Sequence, residues 1–193
     1  MTGTAVDPRE ATRGRIEAAA LDLFTRRDFE TVTADEVADA AGISRRTFFR
    51  HFATKADAVW GDFHAHVVRL EELLAATADQ PVLASICAAY VEVNDYADAD
   101  LPLLRQRMRL ILGEPALQAH SQVRYADVDR VVAEHVARRT GCRPDALVPR
   151  LVALSTRAAA TTAFETWLGG EGSLTEDLQA AFAQLAGGFP TLR

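Results

Sequence analysis

The chain has 193 residues, is 49% hydrophobic and 25% charged, and carries a formal net charge of −6. These are globular values, and the length suffices for a substantial core in one or two small domains. No apolar run reaches the roughly 18 residues of a membrane-spanning helix, and the N-terminal MTGTAVDPREATRGR lacks the apolar stretch of a signal peptide. Cys87 and Cys142 form no paired motif, so a cytoplasmic protein with reduced thiols is expected. Alanine, leucine and valine dominate while proline and glycine are sparse, which points to an all-α fold.

A first helix is expected from about Pro8 to Arg27. Ile16, Ala20, Leu23 and Phe24 recur on one face of it, to pack on Phe29, Val32 and Val37. Arg13 and Arg15 stand where phosphates or solvent are equally available to them. Thr33 with Glu36 three residues on forms a capping box, and Val37, Ala38 and Ala41 give the helix it opens an apolar side. Gly42 supplies the positive φ that ends this helix, Ile43 packs in the turn, and Ser44 caps the next one. On that next helix Ser44, Phe48 and Phe52 share one face at i, i+4 spacing, while Arg46, Phe49 and Arg50 look the other way and Arg45 stands at the exposed N-terminal end. Between Ile43 and Lys55 there are four basic side chains and no acid.

Two short helices about a glycine turn, the second apolar behind and arginine-rich in front, are the sequence form of a helix-turn-helix. An arginine at the N-terminal end of such a helix can donate two hydrogen bonds to O6 and N7 of guanine. The pattern alone leaves a solvated charged face as an equal reading. Net negative charge is no obstacle to DNA binding, because affinity for phosphate depends on the local field, screened over about 8–10 Å. Residues 1–57 hold nine basic and ten acidic side chains with the bases gathered at 43–55, and residues 58–193 hold twelve and seventeen. The bases are twenty arginines and a single lysine, Lys55.

Thr54 can cap a long helix from Lys55 to about Ala76, with Ala58, Val59, Phe63, His66, Val67, Leu70 and Leu74 along its apolar side. A domain boundary is expected inside it near Val59, giving a head of residues 1–58 and a body of residues 59–193. Further helices are expected at Pro81–Tyr96, Leu101–Gly113, Pro115–Thr140, Asp145–Leu168 and Ser173–Ala186, several of them closed by glycine, for about nine in all. No G-x-S-x-G, H-E-x-x-H, P-loop or G-x-G-x-x-G is present, so no enzymatic activity is expected. His64, His66, His120 and His135 show no ligand spacing, and no metal or cofactor is expected.

GISRRTFFRHFATK and the preceding RGRIEAAALDLFTRRDFETVTADEVADAAG resemble the DNA-binding head of TetR-family transcriptional regulators over roughly residues 9 to 60. Gly42, Thr47, His51, Phe52 and Lys55 fit the family pattern. Where the family usually has a tyrosine that reaches a phosphate, this chain has Phe49, which is left to meet a thymine methyl or sugar carbons. The resemblance implies a DNA-binding set of Thr33, Arg45, Arg46, Thr47, Phe49, Arg50, His51 and Lys55, the last near a phosphate. It also implies a repressor that binds double-stranded DNA at a palindromic operator as a homodimer, through a four-helix bundle built from residues 145–168 and 173–186 of each copy.

In that family the body takes a small-molecule effector, and here Phe63, Tyr90, Asn94, Met108, Ile111, Tyr125 and Phe164 are the candidate walls, with Arg105 for an anionic group. For each residue taken singly, a place in the ordinary core, or on the solvated surface for the arginine, is the commoner reading. Movement of the long helix from Lys55 would carry the effector signal. RRTFFRHFATKADAVWGDF and RMRLILGEPALQAHS together are similar to the TetR subgroup associated with mycofactocin biosynthesis, which implies repression of a cofactor-biosynthesis operon and an acyl-CoA-like effector. The alternative is a helical dimer that binds a ligand or protein partner without specific DNA binding.

Overall fold

The computed structural model describes residues 7–77 and 79–189. Among these it contains ten helices: α1 (Pro8–Arg26), α2 (Ala34–Ala40), α3 (Arg45–His51), α4 (Lys55–Trp60), α5 (Phe63–Ala75), α6 (Val82–Val93), α7 (Leu101–Gly113), α8 (Pro115–Thr140), α9 (Leu147–Gly169) and α10 (Leu174–Gly187). The all-α expectation holds, and no helix among the described residues is long and apolar enough to cross a membrane.

One expected helix is two. The apolar spacing runs unbroken from Ala58 to Leu74, but the backbone turns at Gly61, where φ is 61° and ψ −144°, a conformation essentially reserved for glycine. Asp62 then caps α5 by accepting from the Ala65 amide at 3.1 Å. Side-chain periodicity reports which face is buried and is silent about a break that keeps the face.

The chain divides into two compact units. The first runs to Gly61 and also takes in Pro102–His120; the second comprises Asp62–Leu101 and the chain from Ser121 onward. The first unit therefore holds α7 and the opening turns of α8, which the division at residues 58/59 assigns to the body.

In the first unit α1 packs on α2 and α4, and α2 on α3. Ile16, Ala20, Leu21, Val32, Val37, Phe48, Ala58 and Val59 are fully buried or nearly so, and the Phe24 and Phe29 rings meet at 4.8 Å. Each of the larger ones, Ile16, Leu21, Val32, Val37, Phe48 and Val59, contributes about 1.5–3 kcal/mol by leaving water. α7 is held by polar contacts from two successive residues. Gln106 Nε2 donates to the Leu21 carbonyl (3.1 Å) and to Thr25 Oγ1 (2.9 Å), and Arg107 Nη2 donates to Glu17 Oε2 (2.9 Å).

In the second unit α9 packs along α10, and α6 lies against α5, α9 and α10. Trp167, Leu70, Leu74, Ile86 and Leu178 fill its core. Two polar pairs cross that unit: Ser85 Oγ with His135 Nε2 at 3.1 Å, and Arg157 Nε donating to Asp129 Oδ1 at 2.8 Å.

Candidate nucleic-acid interface

The turn between α2 and α3 is built by the backbone. Gly42 takes φ 67°, which lets the Ile43 amide reach back to the Ala38 carbonyl (3.0 Å) and the Gly42 amide to the Asp39 carbonyl (3.0 Å). These two bonds are a Schellman closure and satisfy carbonyls that the helix end leaves open. Ser44 Oγ then accepts from the Thr47 amide (3.2 Å) and caps α3. Upstream the capping box is complete: Thr33 Oγ1 accepts from the Glu36 amide (3.2 Å), and Glu36 Oε2 accepts from the Thr33 amide (2.8 Å). Glu36 Oε1 also accepts from Arg27 Nη1 at 2.6 Å, and this bond, followed by those to Thr33, holds the Glu36 carboxyl down to about 2.

α3 has two faces, as its pattern demands. Phe48 and Phe52 are buried behind, while Arg45, Arg46, Phe49 and Arg50 are exposed in front. Arg46 and Arg50 carry no ion pair among the described residues. Arg45 Nη1 donates to Asp35 Oδ2 at 2.6 Å, and its guanidinium lies 5.3 Å from the centre of the Phe49 ring. Thr47 is half-buried, with its hydroxyl 3.0 Å from Ser44 Oγ. His51 is half-buried too. Burial, then the charges of Arg50, Arg9 and Arg13, push its pKa down, so it is a neutral imidazole at pH 7. Its Nε2 is buried and has no hydrogen-bond partner among the described residues. The Thr33 hydroxyl is exposed, but it also lies 2.9 Å from Glu36 Oε2, within the capping box.

Lys55 stands apart from this face. Its Nζ donates to the carbonyls of Phe29 (2.6 Å), Val32 (2.9 Å) and Glu30 (3.3 Å) and lies 4.4 Å from the Phe29 ring centre. All three ammonium protons are committed to the loop between α1 and α2. In this geometry Lys55 straps the loop between α1 and α2. Arg13 is likewise internal: it bonds Glu17 (3.0 Å) and the Gly61 carbonyl (2.6 Å) and stacks on Phe52 at 5.3 Å.

The two stretches that carry the subgroup resemblance meet in the first unit. A Cβ on Gly61 would lie 2.2 Å from Arg107 Nη1, so the guanidinium occupies the notch that the missing side chain leaves. His120 Nε2 lies 3.1 Å from Asp57 Oδ1, whose other oxygen closes the capping box of α4 by accepting from the Thr54 amide at 2.8 Å.

The residues expected to line an effector site are divided. Phe63, Tyr90, Asn94, Tyr125 and Phe164 lie in the second unit, whereas Arg105, Met108 and Ile111 lie on α7 in the first. Phe63 and Tyr125 meet edge to face at 6.3 Å, and Arg157 covers Tyr125 at 5.5 Å. Tyr90 is buried against Phe182 at 5.4 Å, with burial pushing its phenol pKa up, and Asn94 turns back on its own helix to donate to the Tyr90 carbonyl at 2.8 Å. Phe164 is buried beside Trp167. Sequence reasoning missed Arg157, which covers the Tyr125 ring from within this group, and Asp129, which holds Arg157 through its Nε at 2.8 Å. A surface groove of about 480 Å³ between α6 and α10, lined by Cys87, Val91, Glu92, Thr175, Gln179 and Phe182 among others, contains none of the expected residues.

A glycine-closed turn, a fully capped pair of short helices and an exposed arginine face on the second of them define a helix-turn-helix protein of the DNA-binding regulator class. Residues 16–58 match the family described as bacterial regulatory proteins, tetR family, and residues 80–190 match the MftR C-terminal domain. The chain is 39% identical over 186 residues to the protein of Mycobacterium tuberculosis named as the mycofactocin biosynthesis transcriptional regulator MftR, covering 95% of this chain and 94% of that one. Among solved structures, native NalD, the secondary repressor of the MexAB-OprM multidrug efflux pump in Pseudomonas aeruginosa, shares the fold with a TM-score of 0.67 at 19% identity over 93% of this chain and 97% of that one. Thermus thermophilus FadR, solved in complex with lauroyl-CoA, does so with a TM-score of 0.57 at 20% identity over 90% and 93%. The chain belongs to the TetR family of transcriptional regulators and carries a C-terminal domain of the MftR kind.

Proposed function

We propose that the chain is an effector-responsive repressor that acts as a homodimer, each copy laying α3 in one of two successive major grooves of a palindromic operator. The observation that carries the DNA contact is the exposure of Arg45, Arg46 and Arg50 on a helix whose back is locked by Phe48 and Phe52. Arg45, Arg46, Thr47, Phe49 and Arg50 form the groove-facing set, with Thr33 and His51 at its margins. Lys55 supports the face by fixing the loop behind it.

The dimer is supported by α9. Leu147, Leu151 and Leu154 recur at i, i+4 and i+7 and are 78%, 57% and 44% exposed, while Ala153, Thr156, Ala160 and Ala163 are buried on the other side. Single exposed leucines are ordinary, but an aligned row of them marks an interaction surface. Ala158 continues the row with a side chain small enough for close helix approach. A two-fold pair through this row matches the symmetry of a palindrome. The double substitution Leu151→Glu with Leu154→Glu is expected to sediment as a monomer and to lose operator binding. A variant that stays dimeric would remove α9 from the interface.

The relative MftR points to mycofactocin-biosynthesis genes as the regulated set, and the lauroyl-CoA of Thermus FadR makes acyl-CoAs the first effectors to screen by release of operator DNA. Placement of α7 with the helix-turn-helix unit supports α7, rather than one rigid helix from Lys55, as the element that carries the signal. An effector shifts the equilibrium only by its differential affinity for the two states, and coupling of about 1–3 kcal/mol would change operator affinity roughly 5–150-fold.

A further inference from the structure

Arg45 is held from two sides. Asp35, on α2, takes its Nη1 at 2.6 Å, and Phe49, one turn along α3, lies beneath the guanidinium at 5.3 Å. The Phe49 ring is itself fixed, standing edge-on to the fully buried Phe48 at 5.2 Å and 83°. None of this is explained by folding. Arg45 and Asp35 are 68% and 51% exposed and Phe49 is 44% exposed. An ion pair so open to water contributes at most about 1 kcal/mol, and a phenylalanine left this exposed forgoes much of the stability its burial would bring.

The arrangement is informative about what Arg45 can recognise. With Nη1 occupied by a carboxylate, the Nε–Nη2 edge keeps two parallel donors, and such a pair matches the O6 and N7 acceptors of guanine in the major groove. Adenine places an N6 amino donor where guanine places O6 and repels this edge. A phosphate contact fits poorly, because the adjacent Asp35 carboxylate cancels the charge that attracts a phosphate. Among the described residues, no carboxylate pairs with Arg46 or Arg50 in this way.

We infer that Asp35, Arg45 and Phe49 form one guanine-reading unit, in which Arg45 touches the base while Asp35 and Phe49 are positioning residues. The inference rests on the DNA-binding reading given above and deepens it by naming the base and the residues that select for it.

The test is a selection of bound sites from a randomised duplex library by the full-length protein. It is followed by titrations of the selected duplex and of versions with each half-site position replaced in turn, at two salt concentrations. The wild type is expected to require guanine at one position per half-site. Arg45→Ala should lose at least tenfold in preference for that guanine while binding the guanine-replaced duplex about as well as the wild type does. Phe49→Leu and Asp35→Asn should each erode the preference several-fold, with unfolding midpoints near that of the wild type. Equal weakening by Arg45→Ala on every duplex, with a salt slope reduced by about one charge per subunit, would make Arg45 a phosphate contact and overturn the inference. An intact preference in both Phe49→Leu and Asp35→Asn would remove the positioning roles. A wild type that selects no sequence would overturn the DNA-binding reading itself, an outcome distinct from the other two.

Discussion

Gly61→Ala strikes the first unit where a backbone break and a seated guanidinium coincide. Two costs add. Alanine at φ 61° and ψ −144° sits where only glycine is comfortable, a strain of about 1–3 kcal/mol. Its Cβ would also stand 2.2 Å from Arg107 Nη1 and expel the guanidinium from its notch. Arg107 would then give up its 2.9 Å bond to Glu17, made where the two side chains are only 20% and 15% exposed. A hydrogen bond between charged groups contributes about 1.5–3 kcal/mol. With both costs the sum is about 2.5–6 kcal/mol, a large part of the 5–15 kcal/mol typical of a folded domain.

Urea denaturation should show this as a lower midpoint at unchanged slope. Gly14→Ala is the internal control: Gly14 lies inside α1 with nothing within 4 Å of the added Cβ, so alanine there should stabilise by up to about 1 kcal/mol. Adding Arg107→Ala to Gly61→Ala should cost less than the sum of the two single substitutions, because the second removes the atoms the first collides with. A Gly61→Ala protein within about 1 kcal/mol of the wild type would refute the break in the helix, because alanine at φ 61° is strained however far the Arg107 guanidinium moves aside.

Lys55→Met should lower unfolding free energy by about 1–3 kcal/mol, since three loop carbonyls lose a charged donor, and should leave the salt slope of DNA binding unchanged; a slope reduced by about one charge per subunit at unchanged stability would restore the phosphate role. Arg46→Ala should cost about 1–3 kcal/mol of operator affinity and relax base preference at one position per half-site, and uniform weakening over all sequences would reassign it to the backbone. Glu36 has its pKa held down from 4.5 to about 2, so its contribution to stability is complete above pH 4.5 and is lost as pH falls towards 2. The stability difference between wild type and Glu36→Gln should accordingly shrink over that interval, and a constant difference would deny the carboxylate its part in the cap. His66 is pushed down from 6.5 to about 4 by burial, so the unfolded chain takes up a proton that the folded one refuses, and stability should fall by up to roughly 3 kcal/mol between pH 6.5 and 4. His66→Phe should flatten that part of the pH profile, and an unaltered profile would show that His66 titrates freely.

The helix-turn-helix was legible because all of its determinants are local. Thr33 with Glu36, Gly42, and Ser44 with Phe48 and Phe52 lie within a few residues of what they cap or pack against, and the structure gives each the bond or burial its type demands. What escaped is non-local or conformational. Apolar periodicity continues across Gly61 and hides the break there, although Gly61-Asp62 is also a helix stop followed by a cap. Arg107 meets Glu17 across 90 residues of sequence, and no pattern in α7 distinguishes it from Arg105 or Arg109. Lys55 sits where family resemblance suggests a phosphate, and only the fold shows its ammonium turned to the carbonyls of Phe29, Glu30 and Val32. The candidate effector residues were chosen by type and spacing, and spacing along a helix cannot report that α7 belongs to a different compact unit from α6 and α9.

Sequence-specific DNA recognition by α3 is best tested by titrating the protein against the duplex from upstream of its own gene, with random duplex as competitor and salt varied. The expected result is a specific complex of dimer stoichiometry that survives the competitor, shows an inverted-repeat footprint and is lost in an Arg45→Ala, Arg46→Ala double variant. Binding that random duplex displaces equally well at every salt concentration, and that the double variant retains, would contradict it.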